Sequence, residues 1–524
     1  MDPESAKERG EGPRGYASAA AHGSAWMTAQ TVLNKLATVL AGLLLARMLS
    51  PDDYGIAFFV VNVVVFVFIV PTPVMGDVLL AEQRRFDRVA GAANLVMWIA
   101  AFAMFVVLAG LANPFERIDG RAGLALLIAV AATRPLADAV LAVANARIRM
   151  DLEYRRIAII DGSVMLAATV GSLVMAYFGA GPLSLTVPPI AALALRGFFY
   201  WRRVRARIDL TIHREEVRPI TRRFMVAGLG QYVNNILLAL EIVVLGFATN
   251  ETEVGLFVFA ATYAIQANSV IAGQIGAVLQ PIFAHVQGDH TRQVGGFLRA
   301  TRVLSAIAVP LSLVQAAIAV PLFQLLFPVE WTGSIAIFAV LSVAQAFVFV
   351  SAPSLALLKA QGRFRAYLKL QFAQLAIALV AFPAAVLYGA PHALEAAAFI
   401  GFPIDANAGK ALALGCASAV VWASFCPLAV WIAGRPAGVP FATTLRIFLE
   451  PWLVTLPVVA ALVAMWLGLR GLLAEKIADA LTIGLLAPAA ALVAIFGCAW
   501  IRESTRADMK GILDRFIRRR KSSP

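Results

Sequence analysis

Charged residues are scarce in this sequence. They make up 14% of its 524 residues, whereas hydrophobic residues make up 60%. Soluble domains carry about 25% charged and about 45–50% apolar residues. This composition argues against a soluble globular protein, and the recurring apolar runs of roughly 20 residues are typical of transmembrane helices.

Cysteine is rare as well, and Cys416, Cys426 and Cys498 are the only three. All of them lie in apolar runs, which favours buried thiols over a disulfide framework or a zinc site. The sequence also contains no GxxxxGKS/T phosphate-binding loop, no HExxH pair and no GxSxG nucleophile elbow. We therefore expect a protein that is not an enzyme and that uses no cofactor.

Fourteen transmembrane helices are predicted from the apolar runs. They cover residues 25–48, 55–76, 91–112, 122–145, 157–178, 182–201, 224–248, 255–283, 298–327, 334–358, 366–389, 409–433, 447–469 and 479–501. The predicted fold class is therefore an all-α polytopic membrane protein.

The lysines and arginines predict how these spans are oriented. With the N-terminus inside, 35 of the 44 basic residues fall in the tails and inside loops, and six fall in outside loops. Basic residues concentrate on the cytoplasmic side of membrane proteins, so both termini are predicted to be cytoplasmic. The basic stretches 202–207 and 518–521 flank membrane spans, which favours anionic lipid headgroups over nucleic acid as their partners.

An internal repeat relates residues 31–59 to residues 231–259 at a constant offset of 200. Each copy has a polar pair in an apolar run, then a polar outside turn, then a glycine. The matched residues are Asn34 and Asn234, Lys35 and Asn235, Leu45 and Leu245, Asp53 and Glu253, Gly55 and Gly255, and Phe59 and Phe259. Six spans separate the copies, so both run in the same direction, as parallel repeats do in many transporters.

The repeat predicts two pseudo-symmetric six-helix lobes followed by two extra C-terminal helices. The expected organisation is a disordered cytoplasmic tail (1–23), an N-lobe of helices 1–6 (24–201), a basic cytoplasmic linker (202–223), a C-lobe of helices 7–12 (224–433), helices 13–14 (434–501) and a basic cytoplasmic tail (502–524). In the first turn of the repeat, Pro51 cannot continue a helix, and Asp52 and Asp53 can cap the next one.

Four segments carry a family resemblance. The turn ARMLSPDDYG resembles the turn after the first span of Wzx-type polysaccharide flippases, which belong to the multidrug/oligosaccharidyl-lipid/polysaccharide exporter superfamily. NARIRMDLEYRRIA, VLQPIFAHVQGD and LLFPVEW are similar to later segments of that family and occur in the expected order. The resemblance covers about residues 24–500, although a Gly/Ala-rich insertion near 391–410 departs from some relatives.

The resemblance implies a central cavity that alternates between the two faces of a bacterial inner membrane. It implies that the substrate is an undecaprenyl-pyrophosphate-linked oligosaccharide, flipped from the cytoplasmic to the periplasmic leaflet for cell-surface or exopolysaccharide biosynthesis. Other polysaccharide-assembly proteins are further expected partners, in addition to the membrane lipids indicated by the basic stretches. Two alternatives stay open: a multidrug or cation antiporter of the same superfamily, and a membrane polysaccharide polymerase or glycosyltransferase.

Polar residues inside the spans are candidate substrate-binding residues, because ionisable groups at mid-membrane are costly. The candidates form one stripe in span 1 and one in span 7, and they are Thr31, Asn34, Lys35 and Thr38 with Gln231, Asn234 and Asn235. Hydroxyls and amides suit a sugar, and a positive charge suits a pyrophosphate. The alternative is hydrogen bonding between helices with no ligand.

Charged residues in other spans complete the set. Arg134 is a candidate second phosphate ligand, but it could also only neutralise Asp138, four residues on. Glu241 and Asp138 are candidate ion-coupling carboxylates, and coupling to H⁺ or Na⁺ is left open. Arg196 is expected to snorkel toward the inner surface, and Asp161 to cap span 5.

Overall fold

The computed structural model describes residue 30 and residues 33–67, 72–120, 123–151, 153–205, 208–266, 268–269, 290–361, 363–399 and 406–501. The predicted tails, 1–23 and 502–524, lie outside these ranges. The described residues are mainly helical and include no strand. The chain divides into two compact units, which meet in sequence between Val243 and Val244.

The first unit consists of helices numbered here in chain order. They are α1 (Leu33–Leu45), α2 (Pro51–Val67), α3 (Thr72–Ala81), α4 (Phe86–Asp119), α5 (Leu124–Ala131), α6 (Arg134–Met150), α7 (Tyr154–Tyr177), α8 (Leu183–Val204) and most of α9 (Arg214–Ala248). Helix α6 packs against α3, α4 and α8, and α7 packs against α8.

The second unit also consists of helices, and their numbering continues from the first unit. Its helices are α10 (Glu251–Ala264), α11 (His290–Ala317), α12 (Ala319–Leu326), α13 (Ser334–Ala360), α14 (Phe364–Ala384), α15 (Ala390–Phe399), α16 (Ala406–Gly434), α17 (Phe441–Leu472), α18 (Glu475–Leu481) and α19 (Ala487–Ile501). Helix α13 packs against α10, α11 and α16, and α17 packs against α11 and α19. Short 3₁₀ turns cover Gln83–Arg85, Val329–Trp331 and Arg435–Ala437, and π-helical turns cover Ala385–Gly389 and Thr482–Leu486.

Eleven helical segments in the described ranges are long and apolar enough to cross a membrane. Each corresponds to one predicted span, which confirms the all-α polytopic fold class. The other three predicted spans, 25–48, 55–76 and 255–283, run into residues outside the described ranges. The total of fourteen spans and the lobe boundaries therefore stay predictions.

The two repeated turns have the same local structure. Helices α2 and α10 begin at Pro51 and Glu251, which are 200 residues apart. The Ser50 hydroxyl and the Asp53 carboxylate cap α2 reciprocally, since the Asp53 amide donates to the Ser50 hydroxyl at 3.2 Å and the Ser50 amide donates to Asp53 at 3.0 Å. Asn250 caps α10 in the equivalent place, where its side-chain oxygen accepts from the Glu253 amide at 3.1 Å. These bonds satisfy helix N–H groups that would otherwise be unpaired.

Residues of the internal repeat also form part of the hydrophobic core of each unit. Phe59 and Phe259 are both fully buried, at 0% and 1% exposure. Phe259 stacks on Trp331 with ring centroids 3.9 Å apart, and Phe59 lies 6.2 Å from Phe115. Aromatic pairs at such distances add to the energy of burial, so the glycine–phenylalanine part of the repeat builds a packing centre in each unit.

The cysteine prediction is correct for two of the three residues. Cys426 and Cys498 are buried, whereas Cys416 is exposed on α16. A helix surface in an apolar span can face lipid, where an apolar residue such as cysteine incurs no cost. An apolar run alone therefore does not distinguish a buried thiol from one on the outer surface of the helix.

The N-terminal turns of α9 are held against the rest of the first unit. Ile220 and Phe224 are buried in a cluster with Met75 and Val89. A Cβ atom added to Gly91 would lie only 2.3 Å from the Thr211 carbonyl oxygen, so the backbone ahead of α9 packs directly on α4. Since α9 runs unbroken from Arg214 to Ala248, this contact anchors the start of a membrane-spanning helix.

Candidate functional site

The polar stripe of the first span lies on α1. Its residues Asn34, Lys35 and Thr38 are all half-buried. The Thr38 hydroxyl donates to the Asn34 carbonyl oxygen at 2.8 Å, which is the usual way a threonine satisfies itself in an apolar helix. Thr31 lies outside the described residues.

The amide stripe of the seventh span lies on α9. The Gln231 side-chain amide donates to the Asn235 side-chain oxygen at 3.1 Å. The Tyr232 hydroxyl donates to the Phe66 carbonyl oxygen at 2.8 Å and so ties α9 to the end of α2. Each amide keeps further donors or acceptors, so the Gln231–Asn235 pair can still bind a hydroxyl-rich ligand. Glu241 lies six residues beyond Asn235 on the same helix and is half-buried.

Arg134 lies at a break in a membrane-spanning segment. The span Leu124–Met150 is divided where α5 ends at Ala131 and α6 begins at Arg134. The Thr133 hydroxyl closes this turn by donating to the Val130 carbonyl oxygen at 2.7 Å. The Arg134 side chain is 40% exposed, so the break presents a cation on a helix that is otherwise largely buried.

The ion pair between Arg134 and Asp138 is long. Arg134 Nε is 4.0 Å from the Asp138 carboxylate, and Asp138 itself is only 8% exposed. The sequence prediction that these residues face one another fits this geometry. At that separation the guanidinium is not hydrogen-bonded to the carboxylate by this contact, and it can turn toward another anion.

A polar cluster that the sequence did not predict lies between α7 and α8. The Tyr200 hydroxyl donates to the Asp161 carboxylate at 2.7 Å, and Arg196 lies 3.7 Å from the same carboxylate. The helix N-cap is Glu153 rather than Asp161, so the expected capping role of Asp161 is wrong. The pairing with Asp161 also shows that Arg196 does more than snorkel to the surface.

One signal in the sequence could have revealed this cluster. Arg196 and Tyr200 are four residues apart and therefore share one face of α8. Asp161 lies at a similar distance from the same end of the adjacent helix. The similar depth of Arg196 and Asp161 in adjacent helices could have predicted their pairing from the sequence. The contact of Tyr200 with Asp161 is visible only in the packed structure.

Several solved structures of membrane transporters resemble this chain in fold. A solved structure of the lipid II flippase MurJ in an inward closed conformation has a TM-score of 0.63 at 13% identity, and the match covers 90% of this chain and 100% of that one. An inward-facing multidrug resistance MATE family transporter of the MOP superfamily has a TM-score of 0.53 at 14% identity, covering 79% and 96%. A MOP superfamily transporter from Pyrococcus furiosus has a TM-score of 0.51 at 13% identity, covering 80% and 96%.

The chain is a multi-pass membrane protein whose fold resembles that of these transporters, and identities this low establish a likeness of fold alone. A family model described as "Polysaccharide biosynthesis protein" matches residues 44–336, more than half of the chain. The chain belongs to this polysaccharide biosynthesis protein family. No curated protein matches the sequence. The resemblance inferred from the sequence is confirmed at the level of family and fold, and the solved structures that share the fold are those of transporters.

Proposed function

We propose that the protein flips an undecaprenyl-pyrophosphate-linked oligosaccharide from the cytoplasmic to the periplasmic leaflet of a bacterial inner membrane by alternating access. Membership of the polysaccharide biosynthesis family supports a glycan-linked substrate. The MurJ-like fold supports a lipid carrier, because the solved relative is a lipid II flippase. The membrane polymerase considered as an alternative has no support from either comparison.

One observation favours a lipid-linked anion over a cationic drug as the substrate. The first unit carries the positive charges of Lys35, on the short apolar helix α1, and of Arg134, in the membrane-spanning segment Leu124–Met150. A positive charge there attracts a diphosphate and repels a cation, and charged groups inside a membrane are retained where they have a function. The amides and hydroxyls on α1 and α9 suit the sugar hydroxyls.

The test is a flipping assay with purified protein in lipid vesicles. A fluorescent undecaprenyl-pyrophosphate oligosaccharide is added to the vesicles, and an impermeant quencher measures how much label is exposed outside. Protein-containing vesicles should equilibrate the label across the bilayer faster than protein-free vesicles. Absence of flipping, combined with accumulation of a cationic dye against a gradient, would favour the multidrug antiporter instead.

The orientation is a further prediction from the charge distribution. Single cysteines at the exposed positions Asp52 and Glu475 should react with an impermeant thiol reagent applied to intact cells, in a background without Cys416, Cys426 and Cys498. Single cysteines at the exposed positions Arg84 and Arg205 should not react until the cells are opened. Labelling of the second pair in intact cells would reverse the orientation, because basic loops are expected on the cytoplasmic side.

Ion coupling is predicted to depend on Glu241. This carboxylate lies seven residues before the end of α9, about 10 Å along the helix axis, and its repeat counterpart is the buried Ala41. The packing of the repeat therefore does not require a charge at this position. A proton or cation bound there in one conformation only would bias the exchange between conformations.

The informative variant is Glu241→Gln, which keeps the shape and removes the charge. In vesicles it should still bind lipid-linked substrate but lose the dependence of flipping on a proton or sodium gradient. Glu251→Gln, in the first turn of α10, is the matched control and should keep that dependence. If Glu241→Gln behaves as the control does, the glutamate is structural.

A further inference from the structure

A charged cluster lies inside the first unit between α7 and α8, near the end that the proposed orientation places in the cytoplasmic leaflet. Asp161 is seven residues from the start of α7, and Arg196 is eight residues from the end of α8. At 1.5 Å per residue, both lie about 10–12 Å along their helices from that end. Charged groups at this depth are costly, so the cluster needs a structural or functional reason.

The Arg196 guanidinium is only partly engaged in this conformation. Its Nη1 atom is 3.7 Å from the Asp161 carboxylate, which is too long for a hydrogen bond. Its Nε atom is buried and has no hydrogen-bond partner among the described residues. A buried donor left without a partner is uncommon in folded proteins, so a partner in another state is expected.

A second arginine on the same helix shows the contrast. Arg203, two turns further along α8, donates to the Glu153 carboxylate through two nitrogens, at 3.1 and 3.0 Å. This forked geometry is typical of an arginine that fixes one segment to another. Arg196 lacks this geometry although its carboxylate is close, and the short hydrogen bond to Asp161 comes from Tyr200.

The surroundings of the cluster favour an anion. Arg149, at the end of α6, adds a second positive charge to the electrostatic environment of Asp161. Gln30 lies beside Gly162, the neighbour of Asp161, since a Cβ atom on that glycine would be 3.6 Å from the glutamine Cγ. Gln30 precedes Asn34 by four residues, the spacing that predicts one helix face. A polar side chain of the first predicted span thus packs beside the residue that follows Asp161.

We propose that Arg196 binds a phosphate group of the substrate at the cytoplasmic entrance, and that Asp161 holds its guanidinium until phosphate oxygens replace the carboxylate. The proposal rests on the proposed flippase function, since a pyrophosphate-linked lipid is the anion expected there. The planar guanidinium fork matches two phosphate oxygens. Tyr200 is fully buried and keeps Asp161 hydrogen-bonded after the guanidinium has moved away.

The test measures binding of undecaprenyl pyrophosphate, without any sugar, to the purified full-length protein in detergent, with undecaprenol as the uncharged comparison. Arg196→Gln should weaken binding of the pyrophosphate lipid about tenfold, as expected for a lost charge-assisted hydrogen bond. It should leave undecaprenol binding unchanged, and Arg196→Lys should lose less. Asp161→Asn should bind the pyrophosphate lipid more tightly than the wild type, because the competing carboxylate charge is gone.

Further variants separate this role from simple packing. Arg203→Gln removes an arginine–carboxylate pair from the same helix and should bind the pyrophosphate lipid as the wild type does. Asp161→Asn combined with Arg196→Gln should match Arg196→Gln alone. The proposal is overturned if Arg196→Gln binds like the wild type, or if Asp161→Asn weakens binding as much as Arg196→Gln does. A wild-type protein that does not distinguish pyrophosphate from undecaprenol would overturn the proposed substrate itself.

Discussion

Replacing Lys35 with alanine is expected to abolish polysaccharide export while the protein still accumulates in the membrane. The lysine is half-buried on α1, and its aliphatic stem can be replaced without opening a sealed core. In the proposed function its ammonium group attracts the diphosphate of the substrate, which alanine cannot do. Export is measured as surface polysaccharide, and accumulation as the amount of tagged protein in the membrane fraction.

Two other lysine variants make this result specific. Lys35→Arg should retain part of the export, because a positive charge stays roughly in place although its hydrogen-bonding geometry changes. Lys476→Ala, at an exposed lysine in α18, should leave export unchanged. If Lys35→Ala exports normally, the cation on α1 is dispensable and the phosphate must be bound elsewhere.

Arg134→Ala tests the second cation that is proposed to bind the phosphate, and the double variant Arg134→Ala with Asp138→Ala tells two explanations apart. If Arg134 binds the phosphate, removing the Asp138 carboxylate cannot replace the lost cation. The double variant should then export no better than Arg134→Ala. If Arg134 only neutralises Asp138, export should recover in the double variant, because the buried carboxylate that formed the 4.0 Å ion pair has been removed as well. Restored export would therefore rule out the phosphate role.

The features that could be predicted from the sequence are local or periodic. The capped starts of α2 and α10 follow from a serine or asparagine placed three residues before an acidic residue, which is a pattern within one turn of helix. Apolar run length and the positions of basic residues likewise depend on the nearby chain only. For this reason the fold class and eleven of the spans agree with the structure.

The features that could not be predicted depend on packing between distant segments. Asp161 and Tyr200 are 39 residues apart in sequence and meet only because α7 packs against α8. The break before Arg134 is not obvious either, since Pro135 is acceptable in the first turn of a helix and the apolar run continues across it. Whether Cys416 faces lipid or the core is decided by helix rotation, which apolar periodicity hardly constrains inside a membrane.

Replacing Arg85 and Arg88 together with alanine is expected to destabilise the first unit clearly. Both arginines pair with Glu216 in the first turn of α9, and Arg88 Nε is 3.0 Å from its carboxylate. The Glu216 side chain is only 8% exposed. Without the arginines a buried carboxylate would remain, held by the positive end of the α9 dipole alone. Loss of one side of a fully buried pair costs about 3–5 kcal/mol, and because both arginines are half-exposed the cost here should be lower, about 2–3 kcal/mol.

Glu216→Gln should cost less than the double arginine variant, about 1–2 kcal/mol, because the two arginines are half-exposed and can return to water. Adding Glu216→Gln to Arg85→Ala and Arg88→Ala should therefore recover stability rather than lose more. Thermal unfolding of the purified protein in detergent gives the ranking, with Arg156→Ala as a control at an exposed pair that is expected to cost under about 1 kcal/mol. If the triple variant unfolds at a lower temperature than the double variant, Glu216 stabilises the start of α9 by packing and not through its charge, and the ion pairs do not anchor this helix.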